Sequence, residues 1–424
     1  MRHRYLGITT AIAVMSTMGL AGCSGTTGSG DVTLKLVAAD YGNSPETSSS
    51  VYWKKLASEF ERTHPGITVD VDVRSWKTVD ADVAALVKKG QAPDMAQVGS
   101  FADYAEAGKL YSADQVLSVP VQSGFVAQLA AAGKVDQTQY GLPFVASTRL
   151  LFYNRKLFDE AGISAPKDWD DIRSDAEALK AEGVPVPFAL PLGTEESQAE
   201  TMMWLLSGGG GYTNSTDDSY SIDSDENVKT FEWLQKNLVG KGLTGPVKPG
   251  ELDRADAFKQ FTEGKVGMLN GHPTLMNSAR KAHVDFGMVP MPGKDGDVKS
   301  SMGVADWMMA FKQNGHAQQI GEFLDYVYND KNVMDFVKQY DLLPVTYSAN
   351  TLMAQDTAHN DLREFQKTLD NAELYPFGKS SWSQVSDEIK KNIGKAVEPG
   401  ADPRQILTRI SKDANTADAT EAGK

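Results

Sequence analysis

The distribution of apolar residues predicts alternating strands and helices. Residues 32–36 alternate apolar and polar side chains and residues 37–39 are Val-Ala-Ala, a pattern that is typical of a β-strand. Tyr52, Leu56 and Phe60 recur at four-residue spacing, as on one face of an α-helix. Residues 67–73 alternate again, which predicts a second strand after the helix.

The same succession recurs along most of the chain. Further strands are predicted at residues 93–98, 150–153, 186–190, 265–269 and 284–289. Further helices are predicted to start near Val79, Lys156, Trp169, Val228, Phe258, Ile320, Val333 and Val385. This order favours an α/β protein with a largely parallel sheet. From about Asp413 the residues are small and polar, so we expect the end of the chain to fray.

The first thirty residues have the order of a processed leader. Residues 2–4 are Arg-His-Arg, and residues 5–20 are mostly apolar but shorter than the roughly 20 residues that a spanning helix needs. The run ends in Leu20-Ala21-Gly22-Cys23, which resembles the bacterial lipobox, and a Ser/Thr/Gly linker follows. We expect residues 1–22 to be a signal peptide and residues 23–31 to be a lipidated Cys23 and its flexible linker.

The single cysteine supports the same interpretation. Cys23 is the only cysteine, so no disulfide can form within the chain and stability has to come from the core. The alternative is a buried free thiol in a cytosolic protein. A lipid on Cys23 implies an extracytoplasmic protein that is anchored to the outer face of the cell membrane.

Length and charge limit the classes of function. About 400 residues remain after processing, which suggests two domains. The formal net charge of −14 argues against a nucleic-acid partner, because such binding relies on clustered Lys and Arg.

Motifs for catalysis and metal binding are largely missing from the sequence. No two of the six histidines have zinc-protease spacing, and no GxSxG motif occurs, so we expect no metal and no cofactor. Residues 223–226 lack the spacing of an EF-hand loop, and residues 378–380 lack the leading glycine of a phosphate loop. A glycosidase needs only two carboxylates at the right separation, so a glycan-active enzyme stays open as an alternative.

Aromatic residues indicate a sugar site, because a pyranose offers an apolar face and a rim of hydroxyl groups. Three tryptophans lie on helical stripes or beside them and are assigned to the core: Trp53, Trp169 and Trp233. Three others lie next to a strand or ahead of a helix, and either ligand contact or core packing would explain them: Trp76, Trp307 and Trp382.

Several segments, in order, resemble one protein family. Residues 60–69 are similar to its F-E-x-x-x-P-G-I-x-V segment, and residues 92–95 to its A-P-D step into a strand. The most specific match is Tyr-Gly-Leu-Pro at residues 140–143 followed by residues 151–158, and residues 261–268 resemble F-x-x-G-K-x-A-M. Over residues 32–412 the chain resembles the extracellular solute-binding proteins of carbohydrate ABC importers, the family 1 group that includes maltose-binding protein.

The resemblance implies an α/β, two-lobe periplasmic-binding-protein-like (type II) clamp with hinge crossings between the lobes. The N-lobe would comprise residues 32–146 plus 305–344, and the C-lobe residues 147–304 plus 345–415. Such a protein would act as a monomer, close on a carbohydrate and deliver it to the transmembrane subunits of an ABC permease without acting as an enzyme. A structural or signalling lipoprotein is a third possibility.

The resemblance also implies residues that line the cleft between the lobes. These are Asp40, Tyr41, Ser100, Phe101, Ser147, Arg149, Gln198, Glu200, His272 and Trp382, and the residues themselves add Trp76, Asp306 and Trp307. His272 stands in a turn where the family carries a stacking Trp, and Ser147 stands where maltose-binding protein has a carboxylate. Asp306 and Trp307 at the second crossing would supply a carboxylate and a ring in their place.

Overall fold

The computed structural model describes residues 31–422 apart from positions 43, 215, 217, 298 and 299. The expected signal peptide and Cys23 therefore lie outside the described residues. Within the described part of the chain, no helix combines the length and the apolar character that crossing a membrane requires.

Twelve strands are present in the described residues. They are β1 (Val32–Asp40), β2 (Ile67–Ser75), β3 (Met95–Val98), β4 (Lys134–Val135), β5 (Thr138–Gln139), β6 (Leu142–Thr148), β7 (Leu150–Asn154), β8 (Val186–Phe188), β9 (Val266–Gly271), β10 (Phe286–Val289), β11 (Ser301–Ala310) and β12 (Ala372–Glu373).

Eighteen α-helices accompany these strands in the same part of the chain. They are α1 (Ser49–Glu61), α2 (Val79–Lys88), α3 (Ala102–Glu106), α4 (Ala113–Val116), α5 (Val119–Gly124), α6 (Ala127–Ala132), α7 (Arg155–Ala161), α8 (Trp169–Ala181), α9 (Ser197–Ser207), α10 (Asp225–Leu234), α11 (Arg254–Thr262), α12 (Pro273–Lys281), α13 (Ala317–Val327), α14 (Asp330–Tyr340), α15 (Tyr347–Gln355), α16 (Leu362–Leu369), α17 (Trp382–Asn392) and α18 (Pro403–Ala422). Short 3-10 turns (Pro249–Glu251, Thr357–His359, Ile393–Val397) and one π turn (Gln235–Val239) complete the set.

Two main sheets form the centres of two lobes. The N-lobe is built around the sheet ordered β12-β11-β3-β1-β2, with β6 paired to β11, and the C-lobe around the sheet ordered β10-β7-β9-β8. The pairs β1–β2, β1–β3, β8–β9 and β11–β12 are parallel, whereas β11 pairs antiparallel with β3 and β6, and β7 pairs antiparallel with β9 and β10. The expected largely parallel sheet is therefore wrong, because the strands that enter from the other lobe run against their neighbours.

Three chain segments connect the lobes side by side. Only Arg149 separates β6, whose last residue Thr148 pairs with Gly303 of β11, from β7 in the other sheet. The chain returns between β10 and β11. The third segment passes at Leu343, which exchanges two backbone hydrogen bonds with Ala146 of β6, at 3.0 and 2.8 Å. Hinge motion is therefore confined to a few hydrogen-bonded residues.

The third crossing leads into a segment that stays near the hinge. Strand β12 pairs with Ser301 and Met302 at the start of β11. Helix α16 lies against β6, where the Thr148 hydroxyl donates to the Phe365 carbonyl at 2.8 Å. Part of residues 345–415 thus packs on the N-lobe sheet.

The end of the chain is helical and packed. Helix α18 continues to Ala422 and contacts α17, and its residues Ala414 and Ala417 are buried. Asn415 and Asp418 hydrogen-bond to Tyr220 and Ser381 of other segments. The expectation that the chain frays from Asp413 is wrong, because small residues let α18 approach α17 closely and its polar residues find partners there.

Candidate functional site

The N-lobe wall of the cleft contains a hydrogen-bonded row of three side chains. The Tyr41 hydroxyl, just after β1, donates to Asp306 Oδ2 of β11 at 2.6 Å. Gln97 of β3 donates to the same hydroxyl at 2.8 Å, and its amide oxygen accepts from the Ala39 backbone at 3.1 Å. Neighbouring strand ends therefore fix the phenol ring, and the edge of the Trp76 ring contacts it at a centroid distance of 5.4 Å.

Asp306 is the titrating group of this wall. Burial raises the pKa of Asp306 to about 7, the Tyr41 hydrogen bond opposes this shift, and the nearby Asp80 carboxyl adds to it. Strand β6 contributes an extra residue opposite this point, since Asp306 pairs with Val145 whereas Trp307 pairs with Pro143. Such bulges bend a strand and change where side chains point.

The C-lobe wall is a network of paired charges. The buried Arg149 guanidinium contacts Glu196 at 2.8 Å and donates to Ser147 Oγ at 3.2 Å. Arg254 pairs with Glu195 at 2.5 Å and also with Glu196. Both arginines are therefore neutralised by glutamates of their own lobe.

Glu200 and His272 complete this network. Glu200 Oε1 accepts from Trp204 Nε1 at 2.8 Å and from Asn270 Nδ2 at 2.9 Å, and burial raises the pKa of Glu200 to about 7. Burial, Arg149 and Arg254 hold the pKa of His272 well below its usual value, so the ring is neutral at physiological pH. The cavity that these residues line has a volume of about 20 Å³, room for about one water molecule.

Aromatic rings form a continuous chain across the lobes. Trp382 at the start of α17 lies 4.9 Å from Tyr375 and 5.4 Å from Tyr212, measured between ring centroids. Tyr375 contacts Phe377, which in turn contacts Trp307 of β11 at 5.3 Å. Closure of the lobes therefore involves aromatic packing as well as polar contacts.

Buried acceptors without donors occur beside these rings. The Gln198 side chain interacts with Tyr375, but among the described residues its Oε1 has no donor, and neither has Asn270 Oδ1 on the small cavity. A buried unsatisfied acceptor costs about 1–3 kcal/mol, so a ligand hydroxyl that donated there would recover this energy.

A wide groove lies beside the start of α17, where it is lined by Ser380 and Ser383 but not by Trp382. It has a volume of about 1200 Å³ and runs between α3 of the N-lobe and the helices α17 and α18 of the C-lobe. Its lining is polar and mainly acidic, with these charged residues: Asp103, Glu106, Asp387, Glu388, Lys391 and Asp413. The groove exceeds the roughly 300–1,000 Å³ of a small-molecule pocket, so its size suits an extended ligand.

The structure places the expected contact residues in different situations. Tyr41, Asp306, Ser147 and Arg149 meet near the hinge, Gln198, Glu200 and His272 lie on the C-lobe wall, and Ser100 is exposed at the loop after β3. Phe101 and Trp307 are 1% and 0% exposed, and their rings contact each other at 5.1 Å. These two rings offer no open face for stacking, which differs from the expected ligand contact, and Trp382 is also largely buried at 7% exposure.

Asp40 forms hydrogen bonds within its own loop. Its carboxylate accepts from the Gly42 and Ser49 backbone N–H groups at 3.0 and 2.8 Å and from the Ser48 hydroxyl at 2.8 Å. Partial burial raises the pKa of Asp40, but these hydrogen bonds outweigh burial and lower the pKa overall. Asp40 thus holds the loop that carries Tyr41 and starts α1.

Sequence reasoning missed several residues of the cleft. Glu196, Tyr375 and Gln97 stood outside any recognised motif. Their roles depend on which strands and helices become neighbours. The proximity of Tyr375 to Trp382 in the sequence was the one available signal.

Charged residues of the two segments considered for metal and phosphate binding, 223–226 and 378–380, form ion pairs instead. Asp225 pairs with Arg404, and Lys379 pairs with Asp418 at 2.9 Å. Among the described residues, no group of three or more His, Cys, Asp or Glu side chains is arranged to hold a metal ion.

Comparison with known families places this fold and cleft in a class. The sequence profile of the bacterial extracellular solute-binding proteins matches residues 43–334. The chain belongs to this family, which confirms the resemblance found in the sequence.

Individual relatives span most of the chain. A Brucella abortus protein described as a binding protein is 24% identical over 380 residues, 88% of this chain and 90% of the relative. A Streptomyces antibioticus lipoprotein encoded in the oleD 5′ region is 24% identical over 77% of this chain and 73% of its own length. The sn-glycerol-3-phosphate-binding periplasmic protein UgpB of Escherichia coli K12 is 26% identical over 59% of this chain and 57% of its own length.

Solved structures share the two-lobe fold. The cyclic α-maltosyl-1,6-maltose binding protein of Arthrobacter globiformis has a TM-score of 0.77 at 16% identity, over 92% of this chain and 99% of that one. The GacH receptor of Streptomyces glaucescens has a TM-score of 0.75 at 18% identity, over 92% and 99% of the two chains. These likenesses confirm the expected type II clamp.

Asp306 should make stability depend on pH. The pKa of Asp306 is raised in the folded state, so between about pH 4 and pH 7 the folded protein holds a proton that the unfolded protein has released. The protonated carboxyl therefore stabilises the fold at low pH, and this stabilisation is lost as the pH rises through about 7. Asp306→Asn stays neutral throughout. We expect the free energy of unfolding of the variant, relative to wild type, to rise by about 1–3 kcal/mol between pH 5 and pH 8 in urea titrations.

The exposed Asp370→Asn is the control for this comparison, since it removes a carboxylate outside the cleft. Parallel stability curves for Asp306→Asn and wild type across this pH range would contradict the assignment.

Proposed function

We propose that this protein is the substrate-binding component of an ABC importer that captures a sugar or oligosaccharide between its lobes and delivers it to the permease subunits. The observation that carries this proposal is a hinged cleft with aromatic rings and unsatisfied buried acceptors in a member of the solute-binding family. Two proteins with the same fold support it, because their descriptions record cyclic α-maltosyl-1,6-maltose and acarbose as ligands.

The proposed binding chemistry divides between the two lobes. Trp382 and Tyr375 are packed against each other and are each 7% exposed, and the small exposed part of these rings is the proposed contact for an apolar sugar face. Asp306, Tyr41 and Gln198 supply polar groups for the hydroxyl rim, with Ser100, Trp76, His272, Glu200, Ser147 and Arg149 around them. Asp40, Phe101 and Trp307 act behind this surface, as supports for the residues in front of them.

Capture depends on closure of the lobes. A ligand that touches both walls favours the closed state by its additional contacts there, and the three crossing segments limit the motion to a hinge. We keep the proposed division into an N-lobe of residues 32–146 plus 305–344 and a C-lobe of residues 147–304 plus 345–415. Helix α16 and strand β12 belong to the C-lobe in this division, although both pack on the N-lobe sheet.

An alternative function is a glycan-active enzyme. One observation favours it: the pKa values of Asp306 and Glu200 are both raised to about 7, as for groups that exchange protons near neutral pH. Trp204 and Asn270 hold the nearer oxygen of Glu200, which favours a structural explanation for that carboxyl.

The function is tested by a thermal-shift screen against mono- and oligosaccharides. A ligand that binds only the native state raises the melting temperature. At a ligand concentration one hundred times Kd, it adds about 2.7 kcal/mol to the free energy of unfolding. We expect at least one saccharide to stabilise the protein and to be recovered unchanged by chromatography. Turnover of that saccharide would establish the enzyme instead, and no response to any saccharide would contradict capture.

Trp382 is expected to contribute to affinity. Trp382→Ala should weaken binding of the sugar found in the screen by about 1–3 kcal/mol, because one aromatic contact face is lost. Isothermal calorimetry measures the change. Trp233→Ala is the matched control, since Trp233 packs against Trp169 and Trp204 away from the cleft. Equal affinity for wild type and Trp382→Ala would remove Trp382 from the site.

We also propose that residues 1–22 are cleaved and that Cys23 carries the lipid that anchors the protein to the outer face of the membrane. The similarity to a Streptomyces lipoprotein supports this location. Cys23→Ala should shift the protein from the membrane fraction to the soluble fraction, whereas Ser24→Ala should stay with the membrane. An intact Met1 terminus without lipid, found by mass spectrometry of the native protein, would overturn the anchor.

A further inference from the structure

The last helix of the described chain reaches the turn that carries Trp382. Asp418 of α18 accepts a hydrogen bond from the Ser381 hydroxyl at 2.8 Å through one carboxylate oxygen. Its other oxygen accepts from Lys379 Nζ at 2.9 Å. One carboxylate, 37 to 39 positions away in sequence, therefore holds both ends of the segment that leads into α17.

The neighbours of Ser381 determine which hydroxyl group donates in each hydrogen bond. Ser381 is 1% exposed, and its hydroxyl also lies 3.1 Å from the Tyr220 hydroxyl. A serine hydroxyl has a single hydrogen, so when that hydrogen goes to Asp418 the Tyr220 hydroxyl has to donate to Ser381. Lys379 lies over the Tyr220 ring at 5.5 Å, which closes the cluster.

This cluster sets the position of the aromatic part of the cleft. Ser381 directly precedes Trp382, whose backbone N–H donates to the Lys379 carbonyl at 3.0 Å. The neighbours Ser380 and Ser383 line the wide groove between α3 and the helices α17 and α18. A shift of this turn would therefore move the Trp382 ring and one wall of the groove together.

The same helix also forms part of that wall. The α18 residues that line the groove are Asp413, Ala414, Thr416, Ala417 and Thr420, and the two alanines among them are buried. Helix α18 is thus attached to the turn at Asp418 and borders the groove with the residues between Asp413 and Thr420.

We propose that Asp418 is a positioning residue for ligand binding, acting through Ser381 and Lys379 on the Trp382 turn rather than by touching the ligand. The inference rests on the proposed sugar-binding function and extends its site to the C-terminal helix. Supporting groups of this kind govern affinity because a binding ring that is free to move loses part of its contact.

The test compares Asp418→Ala with Asp418→Asn in the full chain. The alanine variant loses both acceptors, and we expect its affinity for the sugar identified in the screen to fall about tenfold by calorimetry. The asparagine variant keeps one oxygen that accepts from Ser381, and we expect its affinity to stay within about threefold of wild type.

Asp225→Asn is the matched control. Asp225 also fastens α18, through Arg404 at the other end of the helix, but it does not contact the Trp382 turn. We expect it to lower the melting temperature by an amount similar to Asp418→Asn and to leave affinity unchanged. A loss of affinity in Asp225→Asn equal to that in Asp418→Ala would overturn the positioning role in favour of general loosening of α18.

Two further variants keep the test decisive. Ser381→Ala removes the same hydrogen bond from the other side and should reproduce the affinity loss if Asp418→Ala does not fold. Asp418→Ala combined with Trp382→Ala should bind no more weakly than Trp382→Ala alone, because both act on one ring. Additive losses in the double variant would overturn the inference.

The outcomes for function and for positioning can be told apart. Binding by wild type with unchanged affinity in Asp418→Ala and Ser381→Ala would overturn the positioning role alone. A wild-type protein that binds no saccharide would overturn the proposed function and this inference with it.

Discussion

The pairing of the crossing segments is the constraint on which the rest of the structure depends. Strand β6 is held to β11 by an antiparallel ladder and to Leu343 by two backbone hydrogen bonds, and Arg149 alone connects it to the sheet of the other lobe. Arg149 is itself held by Ser147, Glu196 and the Ser301 hydroxyl, which donates to its carbonyl at 2.9 Å. The connections between the two lobes are therefore concentrated in this narrow zone, and the cleft lies beside it.

Charge in the cleft is satisfied within each wall, which shapes what the cleft can bind. The arginines of the C-lobe wall pair with Glu195 and Glu196, and the carboxyl of Glu200 already accepts two hydrogen bonds. Removing the charge from water offsets much of the attraction in a partly buried ion pair, so these pairs are weak evidence for stability. Recognition is left to hydroxyl groups, unsatisfied amide oxygens and aromatic rings, a set that suits a polyhydroxylated ligand.

Much of the fold could be predicted from local pattern, and much of the site could not. The alternation of apolar residues identified β1, α1 and β2 because period is a local property of the chain. Trp307 and Trp76 looked equivalent in sequence, yet Trp307 is fully buried and Trp76 is only partly buried against Tyr41. Burial of a ring depends on which segments pack around it, and those segments are far away in sequence. The packing of α18 could not be predicted from the sequence for the same reason.

The sequence by itself determined the succession of strands and helices, the family, and the residue types from which a sugar cleft can be built, because these follow from residue order and composition. Only the tertiary structure decided which of those residues meet. It joined Tyr41 to Asp306 over 265 positions and Ser381 to Asp418 over 37, and it assigned Asp40, Phe101 and Trp307 to supporting contacts. Hydrogen bonds and ring contacts act over a few ångströms of space, and only the folded lobes bring distant segments within that range.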